Sequence, residues 1–178
     1  LALTDVLHVE MEPLMQHKRL IPPVLTYLFH RLEARFDGRP TLLVLDEAWT
    51  FLDEPMFAAR IREWLKTLRK KNVAVLFATQ SLADIERSVI APALIESCPT
   101  RIFLPNDRAL EPQMRSIYER FGLNARQIEI LGLATPKRDY YVQSAQGNRL
   151  FELGLGPVAL AFTATSSPDD QKLIERVI

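Results

Sequence analysis

Two stretches of this chain are apolar without interruption yet too short for helices. Leu42–Leu45 runs directly into Asp46 and Glu47, and Val73–Thr79 (VAVLFAT) runs into Gln80 and Ser81. A short continuous apolar run between turn signals predicts a strand buried on both faces, whereas a half-exposed strand alternates. Between them the period changes. Phe57, Ile61, Trp64, Leu65 and Leu68 recur at helical spacing from about Pro55 to Lys71, ahead of the breaker Asn72. Strand, helix, strand with a crossover of this length predicts a right-handed βαβ unit, with strands 41–46 and 73–79 as parallel neighbours.

The flanking pattern extends this picture. Asp5–Met11 alternates as a modest strand would. From Pro23, Val24, Leu25, Leu28, Leu32 and Phe36 form a helical stripe closed by Asp37-Gly38. Ser81 or Asp84 is placed to cap a short helix to Val89, and Pro92 starts another that ends near Cys98-Pro99. Thr100–Leu104 reads as a third buried strand, stopped by Pro105-Asn106. Glu111–Phe121 and Asn124–Leu131 read as helices split by Gly122, with Asn124 as cap. Asp139–Ser144 and Arg149–Leu153 flank a Gly147-Asn148 turn, a hairpin signal. Val158–Phe162 reads as a last apolar strand, and Ser167 as the cap of a final helix at 168–177. The expectation is one α/β domain over 1–178: a mostly parallel sheet with helices on both faces and an antiparallel hairpin near the C-terminus.

Composition narrows the class. Hydrophobic residues at 48% and charged residues at 25% are those of an ordinary soluble globular protein. Basic and acidic residues balance at 22 each, so no global field advertises nucleic acid or membrane. Cys98 is the single cysteine, which rules out an internal disulfide; it reads as a small core residue. No apolar run approaches the roughly 18 residues a membrane span needs, and no signal peptide is present. The opening LALTDVLHVEM, without an initiating Met, reads as the back portion of a longer protein.

Acids at the end of a buried parallel strand lie at the carboxyl edge of the sheet, where α/β folds bind ligands. This is the Walker-B arrangement: Asp46 is the candidate for Mg²⁺, and Glu47 for orienting or deprotonating the attacking water. The alternative is a core strand that ends in two solvated acids. Gln80, at the tip of the adjacent strand, can hydrogen-bond a γ-phosphate or the water without adding charge, or it can cap the helix after Ser81. The cluster Arg60, Arg62, Lys66, Arg69, Lys70 and Lys71 suits a DNA contact, a neighbouring subunit's nucleotide, or simply a solvated helix face. Arg101, which opens the third strand, is carried with Asp46 and Gln80 as a candidate nucleotide-binding residue. It and Lys137-Arg138 are both candidate arginine fingers, between which the sequence does not choose. His8, His17 and His30 lack metal-ligand spacing, and Trp49 and Trp64 read as packing residues. The chain contains no GxxxxGK[ST] phosphate loop; GLGPVALAF has glycines but neither the Lys nor the hydroxyl.

Longer blocks are more specific. GRPTLLVLDEAWTFLDEPMF, EWLKTLRKKNVAVLFATQSLADIERS, PTRIFLPN and KRDYYVQS resemble the TrbE-type conjugal transfer ATPases, the large ATPases of type IV secretion systems related to the FtsK/HerA translocases. The resemblance runs from about Val6 to the C-terminus. It implies a RecA-like P-loop NTPase core, partial because the phosphate loop lies upstream of Leu1, and the C-terminal portion of a motor domain. It implies ATP and Mg²⁺ as cofactors, with Asp46, Glu47 and Gln80 at the nucleotide. It further implies a cytoplasmic protein peripheral to the bacterial inner membrane, forming dimers or hexamers and working with other secretion components to drive pilus assembly or substrate transfer. A DNA-translocating motor of the same superfamily and a non-catalytic module docking on secretion-channel proteins are the competing expectations. The neutral charge balance argues against the first.

Overall fold

The computed structural model describes residues 6–47, 52, 54–163 and 174. The chain divides into two compact units at Cys98 and Pro99, and each is considered by itself.

The first unit holds α1 (Glu12–Met15), α2 (Ile21–Glu33), β1 (Thr41–Asp46), α3 (Pro55–Thr67), β2 (Val73–Ala78), α4 (Leu82–Arg87) and α5 (Ala91–Ser97). α3 tightens at its end into a 3-10 turn, Leu68–Lys71. Pro22 and Pro55 stand in the first turns of α2 and α3, where their missing N–H is no loss. The helical stripe read from the sequence is the buried one: Phe57, Ile61, Trp64 and Leu68 are all buried. Trp64 is the hub. Its ring meets Phe29 at 5.0 Å and Phe36 at 5.7 Å, both edge-on, a geometry that adds to plain area burial. Its Nε1 donates to Glu33 Oε1 at 2.7 Å, and Arg60 donates to the same oxygen at 3.0 Å, so the buried indole N–H is satisfied.

β1 and β2 pair in parallel, from Thr41↔Val73 to Asp46↔Ala78. The amino end of this pair is pinned by Asn72, which ends the 3-10 turn in the left-handed region that Asn tolerates. Its side-chain amide donates to the Gly38 carbonyl, and its own carbonyl accepts from the Thr41 N–H.

Burial on both faces, expected from the apolar run, is not found. Exposure alternates along β1, with Leu42 at 64% and Val44 at 52%, and Leu76 on β2 stands at 49%. The run is apolar on both faces, but the chain shields only the odd-numbered one. Residues 6–11 are not a strand either; among the described residues nothing pairs with them, and alternation alone does not hold a chain extended. Cys98 caps α5 and is half-buried, not a core residue.

The second unit holds β3 (Arg101–Phe103), α6 (Pro112–Arg120), α7 (Ala125–Leu133), β4 (Asp139–Ser144), β5 (Gly147–Glu152) and α8 (Pro157–Thr163). Its sheet is antiparallel in the order β3-β4-β5. The third strand is therefore real but shorter than expected and bound to the hairpin. Pro99 and Pro105 bracket it and cannot donate to a ladder. Of its three residues only Phe103 is buried, packed edge-on to Tyr118 at 6.1 Å.

The hairpin turns at Ala145-Gln146, two residues before the expected Gly147-Asn148. Ser144 Oγ accepts from the Gln146 N–H and donates to the Gly147 carbonyl, and Gly147, at φ +123°, supplies the backbone freedom. Asn124 caps α7 as the sequence suggests: its side chain accepts from the Gln127 N–H at 3.0 Å, and Gln127 accepts from the Asn124 N–H at 2.8 Å. Residues 158–162 are helical, not extended. Pro157 starts the helix, and Ala159, Leu160 and Ala161 are strong helix formers with no strand beside them to pair with. The expected helix at 168–177 and Trp49 lie outside the described residues.

The two kinds of contact differ in their expected cost. Ile128→Ala, at a fully buried site, should lower the unfolding free energy by roughly 2–5 kcal/mol. Asn124→Ala should cost only about 1 kcal/mol. Urea unfolding followed by circular dichroism checks the order.

Candidate functional site

The parallel register sets the site. Asp46 ends β1 opposite Ala78, and the ladder continues one residue further, with the Glu47 N–H donating to the Ala78 carbonyl at 3.2 Å. Glu47 itself has φ +48°, a left-handed backbone that few non-glycine residues adopt and that turns the chain sharply out of the strand. On β2, Thr79 Oγ1 accepts from the Ser81 N–H and donates to the Ser81 carbonyl, both at 3.2 Å. This pinches the backbone on either side of Gln80 and presents its side chain at the sheet edge. There Gln80 Nε2 donates to Glu47 Oε1. The structure thus brings Glu47 and Gln80 together, as the sequence suggests for neighbouring parallel strands. Asp46 precedes them at the same edge, on the open even-numbered face. All three side chains are exposed.

The sequence reading passed over two parts of this arrangement. The left-handed turn at Glu47 has no compositional signal, because glycine or asparagine would normally announce it. Thr79 did have one: Thr and Ser flanking a polar residue just past a strand is a hydroxyl-turn pattern. Ser81 precedes α4 without a side-chain capping bond, so its hydroxyl is not the cap that the sequence allowed.

Arg101 lies in the second unit. Its guanidinium donates to the Phe121 carbonyl at 2.7 Å and to Gln143 Oε1 at 3.3 Å, while Gln143 Nε2 donates to the Gly122 carbonyl at 3.1 Å. Together they clamp the turn that ends α6. Arg138 pairs with Glu152 at 2.8 Å, and that carboxylate holds its guanidinium protonated above the usual arginine range. In the basic cluster, Arg60 is bound to Glu33 and Glu63, and Arg62 to the Val89 carbonyl. Lys66, Arg69, Lys70 and Lys71 are exposed. The last three lie in the turn that leads into β2, at the edge opposite Glu47.

Among the described residues there is no group of three or more His, Cys, Asp or Glu side chains able to cage a metal. Mg²⁺ does not require one: it is commonly held by one or two carboxylates, with water and substrate phosphates filling its octahedral shell. An exposed Asp46 carboxylate, a hard oxygen donor at the end of the strand, fits that demand.

A model of the TraG P-loop domain matches residues 3–144. The chain belongs to this family. Relatives of the TraG P-loop chain include the conjugal transfer protein TrbE of Rhizobium radiobacter, 56% identical over 98% of this chain and 21% of that protein. A probable conjugal transfer protein TrbE of Sinorhizobium fredii is 57% identical over 90% of this chain and 24% of its own length. The chain therefore spans about a fifth to a quarter of these relatives. The solved structure of VirB4 of Thermoanaerobacter pseudethanolicus superposes with a TM-score of 0.60 at 19% identity, over 77% of this chain and 37% of that one. That likeness carries the fold: a partial RecA-like α/β core with a parallel strand pair and an antiparallel hairpin.

The backbone at Glu47 makes a prediction about this TraG P-loop chain that needs no nucleotide. Glu47→Gly should leave stability unchanged or raise it by up to about 1 kcal/mol, since glycine accepts positive φ freely. Glu47→Val should lower it by about 1–2 kcal/mol. Equal effects in urea titrations of the two variants would show that the left-handed turn is not held in solution.

Proposed function

We propose that this segment supplies the hydrolytic edge of a type IV secretion ATPase, and that ATP turnover there drives pilus assembly or substrate transfer. The observation that carries this reading is the joining of Glu47 and Gln80 at the carboxyl edge of two parallel strands, directly after Asp46. Asp46 holds the Mg²⁺ shell, and that ion offsets phosphate charge when nucleotide is bound. Glu47 accepts a proton from the attacking water. Gln80 keeps the Glu47 carboxylate in place with one amide N–H and has a second to offer the γ-phosphate or the water.

The motor domain includes both units, a reading supported by the family match that crosses their boundary. Arg101 is then a nucleotide contact only if a neighbouring subunit's phosphate approaches the α6 turn, and assembly into dimers or hexamers is part of the proposal. So are other secretion components as partners and a peripheral position on the cytoplasmic face of the inner membrane. A DNA contact, where one forms, falls to Lys66, Arg69, Lys70 and Lys71. The chain by itself lacks the phosphate-cradling loop, and calorimetry should find no micromolar binding of ATP with Mg²⁺ to it.

Mutants separate chemistry from binding in a protein that carries this segment together with a phosphate loop. Glu47→Gln keeps the size and a hydrogen-bonding oxygen but removes the basicity. Turnover should fall by about 10²–10⁴-fold with ATP affinity held. Asp46→Asn should instead weaken the Mg²⁺-dependent part of binding, because it withdraws a negative charge from a hard cation. Turnover of Glu47→Gln within a few-fold of the parent would return Glu47 to a solvated acid at the end of a core strand.

A further inference from the structure

The even-numbered face of the β1–β2 sheet has no use in the chemistry above. Leu42, Val44 and Leu76 project from it 64%, 52% and 49% exposed, with Ala74 also exposed among them, and Asp46 lies at its carboxyl end. The opposite face of the same strands carries Leu43, Leu45, Val73, Val75 and Phe77, all buried or half-buried. Parallel strands are covered on both faces almost without exception, because their crossovers are helices that lie on the sheet. Two parallel strands with one bare aliphatic face are an incomplete layer.

We propose that this face is an interface for a strand–phosphate-loop–helix segment, whose helix covers Leu42, Val44 and Leu76 and whose loop arrives beside Asp46. Two observations select this occupant over a second copy of the chain. The matching family is a P-loop domain, yet no GxxxxGK[ST] occurs in the chain, so the loop belongs to polypeptide that the relatives possess beyond the matched fifth to quarter of their length. A parallel strand added to this sheet also delivers its C-terminal loop to the edge where Asp46, Glu47 and Gln80 already stand, whereas a second copy would bring only another set of acids. The inference rests on the ATPase reading and names the partner surface of that same site.

Labelling tests it without nucleotide. Val44→Cys is placed in this chain together with Cys98→Ser, and the matching substitution is placed in intact TrbE of Rhizobium radiobacter. Leu76→Cys serves as a second position in both, so that one poorly folding variant does not decide the matter. In this chain alone the new thiol should react with maleimide at the rate of an exposed cysteine. In the intact protein it should react at least about ten-fold more slowly, as a site reached only through local opening does. A photo-crosslinker carried on that thiol in the intact protein should be recovered on a peptide from the phosphate-loop segment.

Equal labelling rates in the two proteins overturn the proposal. So does a crosslink to any other segment, or protection in this chain alone accompanied by a dimeric mass, which would make a second copy the occupant. Protection with the expected crosslink, combined with unimpaired turnover of Glu47→Gln, would leave the interface standing and remove the catalytic reading. Fast labelling combined with lost turnover would do the reverse.

Discussion

Everything at the candidate site depends on the parallel register of β1 against β2. Antiparallel pairing of the same two strands would leave Glu47 and Gln80 at opposite ends of the pair, about 20 Å apart for six residues of strand. A register slip of one residue would move every side chain to the other face. The register is fixed at both ends by bonds outside the strands proper: Asn72 to Gly38 and Thr41 at the amino end, Glu47 to Ala78 at the carboxyl end. Trp64, gripped by Phe29, Phe36 and Glu33, anchors the crossover helix between the two strands. Stability and chemistry therefore share one origin, the βαβ unit with its aromatic hub.

Much of this was legible in the sequence because the signals are local and strong. The helix stripe of α3 and the continuous run of β2 identify their elements without help from the rest of the chain. So does the cap at Asn124, where side chain and backbone are three residues apart. From those followed the parallel pair and the meeting of Glu47 with Gln80. Less legible was whatever depends on neighbours. Apolar residues on both faces of β1 state a demand for burial, but sequence cannot say which face the chain itself will meet. Val158–Phe162 is apolar enough for either state, and the absence of a partner strand, together with Pro157, decides for helix. The hairpin turn moved by two residues because a serine hydroxyl organised Ala145-Gln146 ahead of the more conspicuous Gly-Asn pair.

The second unit shows how a candidate residue acquires a definite structural role. Arg101 looked suited to a phosphate because it opens a strand, and strand termini collect ligands. In the structure its guanidinium holds the α6 turn through Phe121 and Gln143, and Gly122 leaves room for it: a Cβ there would lie 3.6 Å from the guanidinium nitrogen. The contrast with Glu47 is physical. One side chain is held by a carbonyl and an amide of its own unit, whereas the other stands exposed at the sheet edge and is held by a single neutral amide beside a second carboxylate.

The central claim is that Asp46, Glu47 and Gln80 form the edge that faces the γ-phosphate. The most direct measurement is the structure of a longer relative bound to Mg²⁺ and a non-hydrolysable ATP analogue. The account predicts the residues matching Glu47 and Gln80 within hydrogen-bonding reach of the terminal phosphate, directly or through one water, with the residue matching Asp46 in the metal's shell. Nucleotide bound at the opposite edge, beside the residues matching Thr41 and Asn72, would contradict it.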